Sequence, residues 1–201
     1  MNIPTVKFNT QDQPEFLKEL RTRVSTYFKE NNISKYANFN MKFKTFFMLS
    51  LYFIPYLLML TGFISTKGMV LFMWVLMGFG MSGIGLSVMH DANHGSYSKN
   101  KKVNKVLGFM LNFLGGYHIN WIIQHNVLHH SYTNIDGYDD DIDNPLMRFS
   151  PNQKRKYMHR FQAFYAPFFY AIMSIYWFTA KDFLQLVRYD KKGLLSGQGL
   201  T

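Results

Sequence analysis

The chain has 201 residues, with 22 lysines and arginines against 12 aspartates and glutamates, which gives a formal net charge of +10 at pH 7. It contains no cysteine, which excludes disulfide scaffolds, cysteine-ligated zinc or iron–sulfur sites and thiol catalysis. Hydrophobic residues make up 48% of the chain, too many for intrinsic disorder. The mean hydropathy of −0.11 resembles that of a soluble protein, but this average is misleading because the apolar residues are concentrated in a few stretches.

The first 44 residues are polar and charged. Between residues 14 and 29 apolar side chains recur at helical spacing, and Pro14 suits the first turn of a helix. We therefore expect residues 1–44 to form a cytosolic segment with one amphipathic helix that packs on the rest of the protein, and a role at the membrane surface is the alternative. No apolar stretch occurs in the first 40 residues, which argues against a secretory signal peptide.

Two uncharged stretches follow, residues 46–64 and residues 69–89, with 19 and 21 residues. A membrane-spanning helix needs about 20 predominantly apolar residues. Neither stretch has the polar face of a soluble amphipathic helix, so a pair of buried helices in a soluble bundle is disfavoured. The sequence therefore predicts a transmembrane hairpin, in which the glycines of the second helix allow close packing.

Lysines flank this hairpin at its two free ends, whereas the short connection carries only Lys67. The positive-inside rule therefore places both ends of the hairpin, and the N-terminus with them, in the cytoplasm. The net charge of +10 is then explained by membrane topology, and nucleic-acid binding is not indicated. The flanking residues are Lys35, Lys42 and Lys44 before the hairpin and Lys99, Lys101, Lys102 and Lys105 after it.

Two further uncharged stretches are harder to interpret. Residues 106–123 include several polar side chains and the pair Gly115-Gly116. Residues 161–180 include Pro167 and have basic residues on both sides, so a full span would leave one basic flank outside the cytoplasm, against the rule. The sequence leaves open whether residues 161–180 form a third span or an interfacial segment.

Five of the seven histidines form two clusters, His90 with His94 and His125 with His129 and His130. In each cluster two histidines are four residues apart and share one face of a helix. His130 lies on the adjoining face of its helix, from which it can reach a second metal centre. A histidine-rich site without cysteine favours iron or zinc over magnesium or calcium. His118 and His159 lie outside the clusters, and we expect them to be ordinary hydrogen-bonded side chains.

The position of the clusters constrains the chain between them. If both clusters contribute to one metal site, they lie on the same side of the membrane. Residues 106–123, which connect them, then cannot be a single membrane span. We therefore expect this stretch to lie in the interface or to turn back within the protein. The break at Gly115-Gly116 and the embedded His118 and Asn120 fit such a turn better than a lipid-exposed helix.

The segments HDANHGSYS and QHNVLHHSYTNIDGYDDDIDNP resemble the first two histidine boxes of the membrane-bound fatty acid desaturases. The second segment is most similar to the acyl-CoA and linoleoyl-CoA-type branch of that family. The resemblance covers roughly residues 38–145, including the spacing between the hairpin and the first box. It implies an all-α integral membrane helical bundle with a histidine-rich di-metal site at its cytosolic face.

The resemblance also implies a non-haem site of two iron ions, with O₂ as co-substrate and no catalytic residue beyond the metal ligands. The implied ligands are His90, His94, His125, His129 and His130. Asp91, Asn93 and Asp136 are candidates for orienting these histidines through hydrogen bonds. We expect most other aspartates of the acidic run at residues 136–143 to belong to a solvated loop.

The implied reaction is the O₂-dependent introduction of a cis double bond into the acyl chain of an acyl-CoA or acyl-lipid. An unactivated C–H bond offers no acidic proton, so acid–base catalysis cannot break it and a metal–oxygen oxidant is required. The electrons would come from a separate donor protein of the ferredoxin, cytochrome b5 or reductase type. The alternatives are a histidine-box hydroxylase or alkane-type monooxygenase, and a non-catalytic membrane protein that retains a partial metal site.

The family pattern includes a third histidine box, HxxHH or QxxHH, and the only histidine after His130 is His159 in the segment YMHRFQ. We therefore expect residues 45–201 to be the N-terminal part of a desaturase domain, truncated and inactive by itself.

Overall fold

The computed structural model describes residues 6–9, 14–144 and 146–196, and these residues form helices and loops with no β-strand. Helix α1, Pro14–Glu30, begins at the proline where the sequence predicts it. None of its residues is buried, so the expected packing of this helix on the rest of the protein is not seen within the described residues. The helical periodicity predicts an apolar face but carries no information about what covers it.

The predicted hairpin is present as α2, Phe39–Leu60, and α3, Lys67–Gly83. The side chain of Asn38 caps α2 by accepting a hydrogen bond from the Met41 N–H at 2.9 Å, which places the helix start seven residues before the uncharged stretch. Helix α3 continues through a π-helical segment, Ile84–Met89, into α4, His90–Asn93. Within the described chain, Phe39–Leu60 and Lys67–Asn93 are the two helices long and apolar enough to cross a membrane.

Gly80 lies where the two helices approach most closely. A Cβ atom added to this residue would lie 2.7 Å from the backbone nitrogen of Tyr52 in α2. A Cβ atom added to Gly78, on another face of α3, would have no other atom within 4 Å. The hairpin therefore depends on a small residue at Gly80, in the way that small residues let membrane helices pack backbone to backbone.

The chain between the two histidine clusters turns back as expected. It forms α5 (Lys101–Gly108), α6 (Met110–Phe113), α7 (His118–Trp121), a π-helical segment (Ile122–His129) and α8 (His130–Tyr132). The segment Lys101–Phe113 and the segment His118–Tyr132 meet at an angle of 109°. Gly115 lies in the break with a φ of +89°, a conformation that glycine adopts without strain.

The last part of the chain packs against this turn. A 3₁₀ segment, Tyr157–Phe161, leads into α9, Gln162–Tyr176, and a π-helical segment, Trp177–Lys181, leads on into α10, Asp182–Lys191. The carboxylate of Asp182 accepts a hydrogen bond from the Tyr117 N–H, and its carbonyl oxygen accepts one from the Asn120 side chain at 2.7 Å. These bonds attach the start of α10 to the start of α7. Helix α9 with its continuation is not among the described helices that are long and apolar enough to cross a membrane.

The close approach at Gly80 gives a direct test of the hairpin. We expect Gly80→Ala to lower the thermal unfolding midpoint in detergent, because forcing an extra carbon against the α2 backbone costs about 1–3 kcal/mol. The matched control is Gly78→Ala, which we expect to be neutral or slightly stabilising because alanine favours a helix over glycine. Equal effects of the two substitutions would contradict the packing.

Candidate metal centre

Both histidine clusters lie at π-helical segments. His90 directly follows the π-helical segment Ile84–Met89, and His125 and His129 lie inside the segment Ile122–His129. A π-helical turn widens the backbone by one residue and recurs at functional sites. The assumption of regular α-helical spacing was therefore inexact, but the pairs of histidines four residues apart still lie side by side.

The structure brings all five predicted histidines into one group, which we call the histidine cluster. The ligand nitrogens of His90, His94 and His125 all lie within 4.8 Å of one another. The ring of His130 is centred 4.8 Å from the ring of His94 and 4.8 Å from that of His125. The rings of His125 and His129 are centred 5.1 Å apart. The two boxes, separated in sequence by the turn, therefore form one site.

Carboxylates orient three of these rings. The Nδ1 atom of His90 lies 3.1 Å from Asp91 Oδ1, and that of His125 lies 3.0 Å from Asp141 Oδ2.

The third carboxylate belongs to Asp139, and each of its two oxygens lies 3.0 Å from His129 Nδ1. A carboxylate at Nδ1 holds the proton there and leaves Nε2 free to bind a metal, which is how metal-binding histidines are commonly supported.

Asp139 is the most deeply buried of these carboxylates, with no exposed surface. It accepts hydrogen bonds from the backbone N–H groups of Asn134 at 2.8 Å and Asp141 at 3.0 Å. Burial alone would raise the pKa of Asp139, but these two bonds and the contact with His129 outweigh it and leave the pKa below its usual value. Asp139 therefore accepts hydrogen bonds that fix both the loop and the ring of His129.

Asp141 also approaches two rings, since its Oδ2 lies 3.0 Å from His125 Nδ1 and 3.5 Å from His129 Nδ1. These three side chains have the spacing of a metal-binding group. The short distances, however, are those of N–H groups donating to a carboxylate. We therefore interpret Asp141 as a hydrogen-bond acceptor that orients the histidines, with the metal position on the Nε2 side.

The candidate orienting residues predicted from the sequence have different surroundings. Asp91 contacts His90 as expected. Asn93 contacts no histidine through its side chain among the described hydrogen bonds, and its carbonyl oxygen accepts a bond from the Asn126 amide at 2.9 Å, which joins the first box to the second. Asp136 is exposed, and the described residues show no hydrogen bond between it and a histidine.

The orienting residues that sequence reasoning missed lie in the acidic loop, residues 136–143, and in α10. In the loop they are Asp139 and Asp141, which had been assigned to solvent with most of the acidic run. Beyond it, Lys181, Gln185 and Tyr189 follow one another at four-residue spacing. That stripe of polar side chains after an apolar helix was a signal that α10 faces a polar site.

Outside the cluster, His118 Nδ1 donates a hydrogen bond to Asn112 Oδ1 at 2.9 Å, and His159 Nδ1 accepts one from the Lys156 N–H at 3.2 Å. Both therefore behave as the ordinary hydrogen-bonded side chains that the sequence predicts.

The residues of the cluster fit a first-row transition metal. Their donors are imidazole nitrogens, which suit iron, zinc, copper and nickel. Burial, and then the neighbouring histidines, lower the pKa of His94 to about 4, so its ring is neutral and its lone pair is available at pH 7. The indole ring of Trp121, centred 4.6 Å from that of His125, covers one side of the site.

Comparison with known proteins agrees with this chemistry. Residues 65–197 match the family model described as fatty acid desaturase. The chain is 37% identical to the sn-1 linoleoyl-lipid 6-desaturase of Arthrospira platensis over 82% of this chain and 45% of that protein. It is 34% identical to the acyl-lipid (8-3)-desaturase of Physcomitrium patens over 90% of this chain and 38% of that protein.

A third relative, the sn-1 linoleoyl-lipid 6-desaturase of Synechocystis, is 34% identical over 85% of this chain and 48% of its own length. The chain thus spans less than half the length of each of these relatives. No solved structure matches it.

The buried carboxylate gives a test of the metal centre. We expect Asp139→Asn to weaken the binding of added Fe(II) or Co(II) about 10- to 100-fold, because His129 loses the charged acceptor at Nδ1. Titration followed by metal analysis measures this. Asp136→Asn removes the same charge from the same loop and should leave the affinity unchanged. Equal affinities of the two variants would contradict the role of Asp139.

Proposed function

The chain belongs to the fatty acid desaturase family, and on that premise we propose that it carries part of the active site of an O₂-dependent desaturase that introduces a cis double bond into an acyl lipid. One observation carries this proposal: two histidine boxes at the end of a membrane hairpin converge on a single cluster whose rings are oriented by carboxylates.

Two iron ions are the metals proposed for this cluster, with O₂ as the co-substrate. Iron so bound supplies an oxidant able to remove hydrogen from an unactivated methylene. The proposed ligands are His90, His94, His125, His129 and His130. Five imidazoles give fewer than three per metal, so we propose that further ligands come from residues outside these 201.

The other residues of the site prepare it for this chemistry without touching the reacting carbons. The carboxylates of Asp91, Asp139 and Asp141 keep the Nδ1 protons in place, so that each Nε2 lone pair points towards the metal position. The indole ring of Trp121 contacts the rings of His90, His94 and His125 and limits their movement on that side.

The substrate proposed is an acyl lipid in preference to an acyl-CoA. This choice is supported by the names of the relatives, which are acyl-lipid and linoleoyl-lipid desaturases. The histidine cluster begins at the end of the candidate span Lys67–Asn93, where the chain of a bilayer lipid would be within reach. The lysines that flank the hairpin support a cytoplasmic position for the site and the N-terminus. A separate protein is proposed to donate the electrons.

The proposal is tested by expressing the whole open reading frame in which this sequence lies and analysing cellular fatty acids by gas chromatography and mass spectrometry. We expect a new cis double bond that His125→Ala abolishes and that the control His159→Ala, outside the cluster, leaves intact. Hydroxylated chains without new double bonds would identify a hydroxylase instead. Metal uptake without any product would identify a non-catalytic metal-binding protein.

A further inference from the structure

Gln124 directly precedes His125 and lies at the centre of a polar network outside the histidine cluster. Its side-chain oxygen Oε1 accepts hydrogen bonds from Lys181 Nζ at 2.8 Å and from Gln185 Nε2 at 2.6 Å. Its Nε2 donates to Asp141 Oδ1 at 2.6 Å. The single side chain of Gln124 therefore connects the π-helical segment Trp177–Lys181 and α10 with the acidic loop.

The chemistry of the partners fixes which way the Gln124 amide points. A lysine ammonium group can only donate, so it faces the amide oxygen. An ionised carboxylate can only accept, so Asp141 faces the amide nitrogen. Turning the amide over would place two donors against each other on one side and two acceptors on the other. The orientation of Gln124 is thus determined by Lys181 and Asp141 together.

The network continues from Asp141 into the histidine cluster. While Oδ1 of Asp141 is held by Gln124, Oδ2 accepts from Nδ1 of His125 at 3.0 Å. Gln124 therefore fixes the plane of the carboxylate that fixes the ring of His125. Through this chain of hydrogen bonds, the position of α10 determines the direction in which His125 Nε2 points.

Helix α10 holds the acidic loop at a second point as well. The side chain of Asp140 accepts hydrogen bonds from the Tyr189 hydroxyl at 2.6 Å and from Arg188 Nη2 at 2.6 Å. Tyr189 is fully buried and Gln185 is 6% exposed, so this face of α10 is packed against the loop. Asp140 and Asp141 are thus both attached to α10, which limits the freedom of the loop to move away from the histidines.

Lys181 lies in a partly closed environment, with its ammonium group 4.7 Å from the centre of the Trp177 ring. Burial lowers the pKa of Lys181 to about 8, while the charges of Asp182, Asp141 and Asp140 act in the opposite direction. Lys181 is consequently still mostly protonated at pH 7 and can donate to Gln124. The side-chain amide of Gln124 therefore bridges the ammonium group of Lys181 and the carboxylate of Asp141.

We propose that Gln124 is a positioning residue for the metal centre. Through it, Lys181, at the end of the π-helical segment that leads into α10, and Gln185 of α10 set the orientation of Asp141 and His125. This inference rests on the proposed function for the identity of the metal, but the hydrogen-bonded tautomer of His125 does not depend on any metal. The relay predicts that His125 carries its proton on Nδ1 in the metal-free protein. Its two ends, in the second histidine box and in α10, can be altered independently.

The first experiment measures that tautomer by ¹⁵N NMR of histidine-labelled, metal-free protein in lipid, with the His125 signal assigned by its loss in His125→Asn. We expect the signal of an Nδ1–H tautomer in the parent chain. Gln124→Glu keeps an acceptor for Lys181 but places a second carboxylate against Asp141. Gln124→Leu removes all three hydrogen bonds of this side chain. Either substitution should shift the signal towards the Nε2–H tautomer.

The second experiment alters the other end of the relay. Lys181→Met removes the donor, whereas Lys181→Arg retains a donor and a charge and should restore the parental tautomer. Lys191→Met, at an exposed position on the same helix, is the matched control and should change nothing. An unchanged tautomer in both Gln124 variants, or the same tautomer in Lys181→Arg and Lys181→Met, would overturn the inference.

Titration with Co(II) separates this inference from the proposed function. We expect the Gln124 variants and Lys181→Met to bind Co(II) about 10-fold more weakly than the parent, as is typical when a partner of a ligating histidine is lost. Parental affinity in the Gln124 variants would overturn the inference alone. A parent chain with the expected tautomer but no Co(II) binding would contradict the metal centre and leave the positioning role in place.

Discussion

The structure depends on holding five imidazole rings together at the end of an apolar helical hairpin. Protonated rings at such distances would repel one another, and burial adds to the cost of charging them, as the lowered pKa of His94 shows. Neutral rings avoid that cost but need partners that fix their protons and directions. Aspartates of the same site supply those partners, and the buried carboxylate of Asp139 is stabilised by backbone N–H groups in turn.

The rest of the described chain follows from this requirement. The two boxes can converge only if the segment between them reverses direction, and the 109° bend next to Gly115 provides that reversal. The bond from Asn126 to the Asn93 carbonyl then joins the boxes directly. Helix α10 completes the arrangement, since Asp182 attaches it to the bend and Gln124 and Asp140 attach it to the loop. The histidine cluster is thus held in place by contacts between residues that are distant in sequence.

The features predictable from sequence were those encoded locally. Uncharged stretches of spanning length predict the hairpin, and the spacing of the histidines together with the Gly115-Gly116 pair predicts the reversal and the shared site. Of the orienting carboxylates, Asp91 was predictable from its place beside His90. Those of the acidic loop were not, because five aspartates lie within eight residues and nothing in the local sequence distinguishes them. Which of them face the histidines depends on the turn around Asn134, with its φ of +62°, and on α10, more than 40 residues away. The apolar face of α1 was predictable, and its packing partner was not.

We propose that both histidine boxes bind iron as one site. Iron K-edge X-ray absorption on the iron-loaded protein is the decisive measurement, because imidazole ligands give a recognisable multiple-scattering signal. We expect iron bound through several imidazoles, with fewer of them after substitution of either His94 in the first box or His129 in the second. A spectrum without imidazole, or one that changes on substitution in only one box, would contradict it.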